Sequence, residues 1–150
     1  MKSVVQRVKY CKVVVEDEVV GSINKGILVF LGIGKKDTKK DVDYLVEKIS
    51  HLRIFEDEKN NMNLSALDLK RDICIVPQFT LYGDCSKGRR PNFMEAASPG
   101  KAEKLYKNFV KKMKNYDLKI ATGRFKAKME VDFINDGPVT LLLDTEESLR

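Results

Sequence analysis

The seven residues from Gly26 to Gly32, GILVFLG, form a continuous apolar run. A run of this length and composition predicts a buried β-strand. The segments before it, residues 3–8 and 12–15, are rich in β-branched residues and also predict strands. Residues 16–18, Glu-Asp-Glu, predict a turn after them. The first part of the chain is therefore predicted to consist of strands.

Two later segments have helical periodicity. Apolar residues between Asp37 and Arg53 recur at helical spacing, with polar residues between them. Asp37 or Thr38 can cap the start of this helix. A second helix is predicted to open at Ser98-Pro99, with the serine as cap and the proline in the first turn. The two predicted buried stripes consist of Val42, Leu45, Val46, Ile49 and Leu52, and of Ala102, Leu105, Tyr106, Phe109 and Met113.

The remaining segments predict further strands and two connections. Residues 72–80, 129–133 and 139–143 are predicted to be strands. Residues 55–70 are predicted to be a loop with a turn at Asn60-Asn61, and residues 84–99 a long connection of a kind that is often functional. Because strands and helices do not alternate regularly, we predict an α+β fold over residues 1–150. It would be a single domain with a mostly antiparallel sheet or barrel and two packed helices.

The composition fits one globular domain. Of 150 residues, 43% are hydrophobic and 33% are charged. The net charge of +6 favours a polyanionic partner such as RNA or DNA, although a solvated basic surface explains it equally well. No apolar run reaches the roughly 18 residues of a membrane span, and the N-terminus lacks the features of a signal peptide. We expect a cytoplasmic protein with no membrane partner.

Cysteine and histidine restrict the possible active sites. Cys11, Cys74 and Cys85 form no Cys-x-x-Cys pair, which argues against a disulfide framework and against zinc. Cys74 lies in an apolar run and is expected in the core. The single histidine, His51, would have to serve any catalytic triad. Its place near the end of a helical pattern favours a structural or surface role, and we expect no metal site.

Two segments put polar groups beside predicted strands. Residues 77–84 (PQFTLYGD) leave an apolar strand with an amide, a hydroxyl and two aromatic rings at its end, where scaffolds often hold reactive groups. An ordinary strand with an amphipathic end is the alternative. Residues 135–138 (NDGP) predict a turn, and a cis Gly-Pro bond there would turn two carbonyls in a similar direction to hold an ammonium group. Gly32-Ile33-Gly34 lacks the third glycine of a nucleotide loop and predicts only a turn.

Together these segments resemble the D-aminoacyl-tRNA deacylase family over almost the whole chain. The resemblance rests on residues 4–8 (VVQRV), 52–57 (LRIFED), 62–65 (MNLS), 78–83 (QFTLYG), 88–91 (GRRP), Met129 and 135–140 (NDGPVT). It implies an enzyme that hydrolyses the ester of D-aminoacyl-tRNA, and of glycyl-tRNA mischarged on tRNA-Ala, without metal or organic cofactor. It also implies a homodimer.

The resemblance further implies roles for single residues. Gly137-Pro138, joined by a cis bond, would reach from one subunit into the site of the other and reject L-amino acids. Arg7 matches the arginine that steadies this pair. Phe125 and Met129 match residues that line the pocket near the terminal adenosine. The implied partner is the 3′ end of aminoacyl-tRNA, and no DNA partner is expected.

Two catalytic routes remain open at Gln78, Phe79 and Thr80. In one route Thr80 is a nucleophile, which would need a base. In the route we favour, Gln78 and the N–H groups of Phe79 and Thr80 stabilise the oxyanion, while the 2′-hydroxyl of the terminal ribose assists water. Two positions depart from the family pattern: Pro77 stands where serine is usual, and Lys126 where glycine is usual.

Basic residues are candidates for contacts with tRNA phosphates. They are Lys87, Arg89, Arg90 and the lysines of the second helix, for which a solvated helix face is the alternative. Two rival functions follow from the same sequence. A non-catalytic RNA-binding module would fit the basic charge, and a structural dimer would fit an isolated Gly-Pro turn.

Overall fold

A curled sheet with helices packed on one side forms the protein. The computed structural model describes residues 1–149. Their elements, in chain order, are β1 (Lys2–Val15), β2 (Glu18–Ile23), β3 (Gly26–Gly32), α1 (Lys39–Ser50), β4 (Phe55–Glu56), β5 (Met62–Leu64), α2 (Ala66–Leu69), β6 (Asp72–Pro77), α3 (Pro99–Met113), β7 (Ile120–Thr122), β8 (Glu130–Asp144) and α4 (Thr145–Leu149). A 3₁₀ turn, Phe79–Tyr82, follows β6.

The first strand organises the sheet. β1 pairs antiparallel with β2 and β3 on one side and with β8 on the other. Two parallel pairings, β3 with β6 and β6 with β7, extend the sheet. Because β2 also contacts β7, the sheet curls into a nearly closed barrel. The predicted α+β class is confirmed: the pairings are mostly antiparallel, and α1 packs against α3.

The apolar run at Gly26–Gly32 is buried because its strand faces two cores. Ile27, Val29 and Leu31 point to a cluster shared with α1 and α3. Leu28 points to the other face, where it packs with Cys74 inside the barrel. Successive side chains of a strand alternate between faces, so a strand covered on both sides reads as continuously apolar.

The helices begin close to the predicted positions and have the predicted cap residues, but only one cap side chain makes a capping hydrogen bond. The Thr38 side chain accepts a hydrogen bond from the N–H of Lys40, and Thr38 forms a capping box with Asp41 at the start of α1. Ser98 stands before α3, yet its side chain makes no capping hydrogen bond. Ser98 is nevertheless the N-cap residue of α3 and Pro99 lies in its first turn, as predicted. None of the helices in residues 1–149 is long and apolar enough to cross a membrane.

The predicted loop at residues 55–70 contains regular structure. β4 and β5 pair as a short hairpin whose turn has Asn60 at positive φ, as predicted for a turn there. Ser65 and Asp68 then form a capping box that starts α2. The Ser-x-x-Asp spacing is the sequence signal for that box, and the loop prediction missed it.

The predicted turn at residues 135–138 is a bulge inside one strand. β8 runs unbroken from Glu130 to Asp144. In its pairing with β1, Gln6 lies opposite Thr140 and Val8 lies opposite Asn135. Between these two pairs the chain advances by two residues on β1 and by five residues on β8. The extra residues project from the ladder, so the Asn, Asp, Gly and Pro of this segment build a bulge and not a chain reversal.

Candidate active site

A cavity of about 480 Å³ opens at the ends of β3 and β6. The first residues of α3 and the segment before β8 form its other walls. Four of the residues predicted for the site line it: Gln78, Phe79, Phe125 and Met129. The remaining lining residues are Leu31, Ile33, Val76, Pro77, Ala96, Ala97, Pro99, Ala102, Lys126, Ala127 and Val131. We call this space the main cavity.

Pro77 fits the end of β6 because no neighbouring strand within residues 1–149 offers a carbonyl to an N–H at this position. The missing N–H of proline therefore costs the sheet no hydrogen bond. The N–H of Gln78 donates to the Leu31 carbonyl of β3 at 2.8 Å, while the N–H of Ile73 donates to Lys119 on the other side at 3.0 Å. Successive N–H groups of β6 thus point alternately to β3 and to the β7 side. Residue 77 has the same parity as Ile73, so an N–H there would point away from β3. β7 has already ended there, at Thr122. The predicted strand over 72–80 therefore ends at residue 77, at a locally open edge.

The 3₁₀ turn after β6 holds the candidate catalytic groups. Its first hydrogen bonds run from Leu81 N–H to the Gln78 carbonyl at 3.3 Å and from Gly83 N–H to the Thr80 carbonyl at 2.9 Å. The N–H groups of Phe79 and Thr80 precede these bonds, and the first N–H groups of a helical turn have no partner within it. The Gln78 side-chain amide donates to the Thr80 hydroxyl. Two backbone N–H groups, a side-chain amide and a hydroxyl are thus collected beside the main cavity.

A half-buried tyrosine, Tyr82, fixes the far end of this turn. The Tyr82 hydroxyl donates to Asp37 at 3.2 Å. Burial raises the pKa of Tyr82, and the neighbouring Asp37 carboxylate raises it further. The same carboxylate accepts the N–H of Gly34 at 2.7 Å. The turn is therefore held against the loop that follows β3.

Arg7 lies opposite the bulge of β8. Its side chain is buried; Nη1 donates to the Ile54 carbonyl at 2.7 Å and Nε donates to the Asp136 carbonyl at 3.2 Å. Two carboxylates lie near the guanidinium group: that of Glu56 is 3.7 Å from Nη2, and that of Asp136 is 3.6 Å from Nε. The bond between Gly137 and Pro138 is cis, as the family resemblance implies, and both residues are exposed.

Within one chain, Arg7 and the Gly137-Pro138 bulge lie far from Gln78. Pro77 pairs with Leu31 of β3, whereas Arg7 pairs with Ile27, four residues earlier on that strand. Four residues span about 13 Å along a strand, and β6 is two strand spacings, about 10 Å, from β1. The structure thus brings the predicted site residues together in two separate groups.

Comparison with known proteins decides the family. A family model described as D-Tyr-tRNA(Tyr) deacylase matches residues 4–144. The chain belongs to this family. The D-aminoacyl-tRNA deacylase of Halothermothrix orenii is 61% identical over 147 residues, which cover 98% of this chain and 99% of that protein. The D-aminoacyl-tRNA deacylase of Thermosipho africanus is 58% identical over 147 residues, with the same coverage.

Two solved structures have the same fold as this deacylase-family chain. One, named c-Myc DNA Unwinding Element Binding Protein, matches with a TM-score of 0.90 and 42% identity over 96% of this chain and 98% of its own. The other, a probable eukaryotic D-amino acid tRNA deacylase, matches with a TM-score of 0.84 over 95% and 97%. At 20% identity the second supports the fold alone. The predictions of an enzyme and of this family are confirmed.

The histidine of this deacylase-family chain is remote from Thr80. His51 follows the last residue of α1, where its ring nitrogen Nδ1 contacts the Glu47 carbonyl at 2.9 Å. The Asp37–Tyr82 contact lies at the opposite end of the same helix. A helix of 12 residues is about 18 Å long. His51 is therefore not placed to act as a base for the Thr80 hydroxyl.

Sequence reasoning missed much of the wall of the deacylase main cavity. Ala96 and Ala97, in the long connection, and Ala102, in α3, contribute small side chains that leave the space open. A run of small residues before a predicted helix was the available signal. Gly123 contributes in another way: a Cβ on it would lie 2.5 Å from Sδ of Met129. Met129 packs against the backbone there because residue 123 has no side chain.

Proposed function

We propose that this protein hydrolyses the ester bond that joins a D-amino acid to the 3′ end of tRNA, at the edge of the main cavity. The observation that carries the proposal is the group of three donors beside that cavity. They are the N–H groups of Phe79 and Thr80 and the amide of Gln78. Donors fixed before substrate arrives stabilise the negative charge that develops on the carbonyl oxygen during ester hydrolysis.

The main cavity suits the terminal adenosine. Its volume of about 480 Å³ lies in the range of small-molecule sites, and its walls include the apolar side chains of Phe125 and Met129. An adenine ring held there would bring the attached ester to the cavity edge, where Gln78 and Phe79 lie. In this pose the main cavity binds the terminal adenosine, which every tRNA has.

The route of hydrolysis uses the substrate's own hydroxyl. Thr80 is the alternative nucleophile, but its oxygen already accepts the Gln78 amide, and His51 is at the far end of α1. A threonine hydroxyl without a base is a weak nucleophile. We propose that the neighbouring 2′-hydroxyl of the terminal ribose assists the attacking water, while the three donors hold the oxyanion.

The Gly137-Pro138 bulge is proposed to select the substrate in a second copy of the chain. Within one chain the bulge and Gln78 are separated, yet Gly137 and Pro138 are exposed and available to another molecule. A two-fold dimer presents the same surface of both subunits to each other, so two equal sites would form. The carbonyl oxygens of the bulge would then accept the α-ammonium group of the amino acid.

Exposed apolar side chains support association of two copies. Phe79 is 59% exposed and Met94 is 68% exposed beside the candidate catalytic turn, and Leu142 is 80% exposed on β8. Phe79 and Phe93 also stack edge to face, with their centroids 5.1 Å apart. Contiguous exposed apolar surface marks interaction sites. A homodimer would cover side chains near both halves of the proposed site.

Selection would work by exclusion. Carbonyl oxygens that contact the ammonium group and the Cα hydrogen read features common to all amino acids. They leave no space for an L side chain, whereas a D side chain points away towards solvent. Glycine has no side chain to exclude. Glycyl-tRNA mischarged on tRNA-Ala is therefore proposed as a second substrate.

An ester-hydrolysis assay tests the proposal. The protein is incubated separately with D-tyrosyl-tRNA, L-tyrosyl-tRNA and glycyl-tRNA-Ala, and the acid-precipitable amino acid is followed with time. We expect loss of the D and glycyl esters and persistence of the L ester. Persistence of all three esters, together with measurable tRNA binding, would instead support a non-catalytic RNA-binding protein.

The same assay separates the two catalytic routes. We expect Thr80→Ala to hydrolyse D-tyrosyl-tRNA at a rate within about threefold of wild type, whereas a substrate with a 2′-deoxy terminal adenosine is hydrolysed at least 100-fold more slowly. A 100-fold loss in Thr80→Ala with normal hydrolysis of the deoxy substrate would assign the nucleophile to Thr80.

A further inference from the structure

The exposed face of α3 and the residue that follows the helix carry a row of four lysines. Lys104, Lys107, Lys111 and Lys114 follow one another at intervals of three, four and three residues, and all are exposed. This spacing puts them on one side of a helix. In the described chain, residues 1–149, only Lys107 among them forms an ion pair, with Glu103 at 2.9 Å. We call these residues the α3 lysine row.

The α3 lysine row borders a second cavity, of about 490 Å³. Three of its lysines contribute to the lining: Lys107, Lys111 and Lys114. The other lining residues are Tyr106, Val110, Asn115 and Thr122. No carboxylate lines this cavity, so its positive charge is not neutralised from within. We call it the α3 groove.

The α3 groove and the main cavity share a wall. Tyr106 lines the groove, and its ring packs against Phe125 of the main cavity with centroids 5.8 Å apart. The Tyr106 hydroxyl is occupied, since it donates to the Ile75 carbonyl at 2.8 Å. Ala102, one turn earlier in α3, lines the main cavity. Lys107 to Lys114 therefore follow the main cavity by about 8–18 Å along the helix axis.

Helix stability does not account for the row. Like charges three or four residues apart each destabilise a helix by a few tenths of a kcal/mol. Basic residues near a helix C-terminus interact favourably with the macrodipole, which explains Lys111 and Lys114. The macrodipole does not explain Lys104, because this residue lies in the N-terminal half of α3. The first turn of α3 also holds no acidic residue.

We infer that the α3 lysine row and the α3 groove bind the phosphates of the acceptor arm of tRNA, on the strand that ends in the main cavity. The inference rests on the proposed function, because that function places the terminal adenosine in the main cavity. An RNA strand that leaves the main cavity along α3 would pass the lysines of the α3 lysine row one after another, at increasing distance from the ester. The row contributes affinity for the RNA backbone and takes no part in hydrolysis or in chiral selection.

The test compares two variants that lose the same charge. One is K104Q/K107Q/K111Q/K114Q. The control, K25Q/K39Q/K40Q/K59Q, removes four exposed lysines from other surfaces. Each is assayed with D-tyrosyl-tRNA and with 3′-O-D-tyrosyladenosine, which has the ester but no acceptor arm. KM and kcat are measured over a series of salt concentrations.

We expect the row variant to raise KM for D-tyrosyl-tRNA by about tenfold or more, with kcat unchanged. The slope of log KM against log salt should fall by about 0.7 for each lost phosphate contact. Hydrolysis of tyrosyladenosine should equal that of wild type. The control variant should retain the KM and most of the salt slope of wild type.

Three results would overturn the inference. Equal KM values for row and control variants would show that the row is ordinary surface, even though hydrolysis itself is normal. A matching loss with tyrosyladenosine would show damage to the main cavity. Competition by duplex DNA as strong as that by uncharged tRNA would show attraction to any polyanion. By contrast, a wild-type protein that hydrolyses neither D ester would refute the proposed function itself.

Discussion

A Cβ atom on Gly137 would lie 2.5 Å from Nη2 of Arg7. Gly137 also has a φ of +116°, a backbone conformation that residues with a side chain rarely adopt. The buried arginine and the bulge of β8 are therefore fitted to each other with no space between them. Position 137 accepts only glycine as long as Arg7 keeps its hydrogen bonds to Ile54 and Asp136.

We expect Gly137→Ala to lower the free energy of unfolding by about 1–3 kcal/mol, because the new methyl group meets Arg7 in a strained backbone. Hydrolysis of D-tyrosyl-tRNA should fall at least tenfold if the bulge contacts substrate. Gly100→Ala is the matched control: a Cβ there meets nothing within 4 Å. It should leave activity unchanged. Equal melting temperatures and activities for both variants would contradict the fit of Gly137 to Arg7.

Arg7→Lys tests whether the bulge sets chirality. Lysine keeps the charge but cannot donate both to the Ile54 carbonyl and, from a fixed planar group, to the Asp136 carbonyl. We expect a loss of about 1.5–3 kcal/mol in the free energy of unfolding and measurable hydrolysis of L-tyrosyl-tRNA. Arg53→Lys is the control, since exposed Arg53 donates to the Asn63 carbonyl at 2.8 Å. A folded Arg7→Lys that still spares the L ester would assign chirality to other residues.

The backbone N–H of Phe79 can be removed without disturbing its turn. Phe79 is the first residue of the 3₁₀ turn, where proline is tolerated, and Gln78 before it, with φ −142° and ψ 82°, lies outside the α region that a following proline disfavours. We expect Phe79→Pro to slow hydrolysis of D-tyrosyl-tRNA by about 100-fold, as loss of one oxyanion donor does.

Phe79→Ala separates the N–H from the ring. It removes the exposed aromatic side chain but keeps the backbone donor, so kcat should remain within a few-fold of wild type. Similar losses of kcat in the alanine and proline variants would assign the effect to the ring, through packing or dimer contacts. The kcat values at saturating substrate are the deciding measurement.

The sequence predicts the strands and the two long helices because their periodicity reflects burial. Gly26–Gly32 is apolar throughout since both of its faces are covered, and this signal is local. The bulge at residues 135–138 could not be told from a turn. Asn, Asp, Gly and Pro occupy both, and only the partner strand, with Arg7 opposite the extra residues, distinguishes them.

The main cavity could be predicted only in part, for a similar reason. Gln78, Phe125 and Met129 were found through family resemblance, while Ala96 and Ala97 offer only a run of small side chains with no reactive group. Their contribution is the space that they leave, and that depends on how the long connection packs over the end of β3. No periodicity in the sequence encodes that packing.

Lys126 combines a strained backbone with a charge at the edge of the main cavity. Its φ is +65°, in the left-handed region, where a residue with a Cβ is disfavoured by about 1–2 kcal/mol. Lys126→Gly should relieve that strain and so raise the free energy of unfolding. Glycine also stabilises the unfolded chain by roughly 0.5–1 kcal/mol, which reduces the gain. We expect a net rise of about 1–3 °C in the melting temperature.

Lys126→Ala is the informative partner of that variant. Alanine removes the charge but keeps the Cβ and the strain, so its melting temperature should match wild type. If the ammonium group contacts a phosphate of tRNA, both variants should raise KM for D-tyrosyl-tRNA by the same factor and leave kcat unchanged. If alanine and glycine raise the melting temperature equally, the native lysine destabilises the protein through charge repulsion and not through its left-handed backbone.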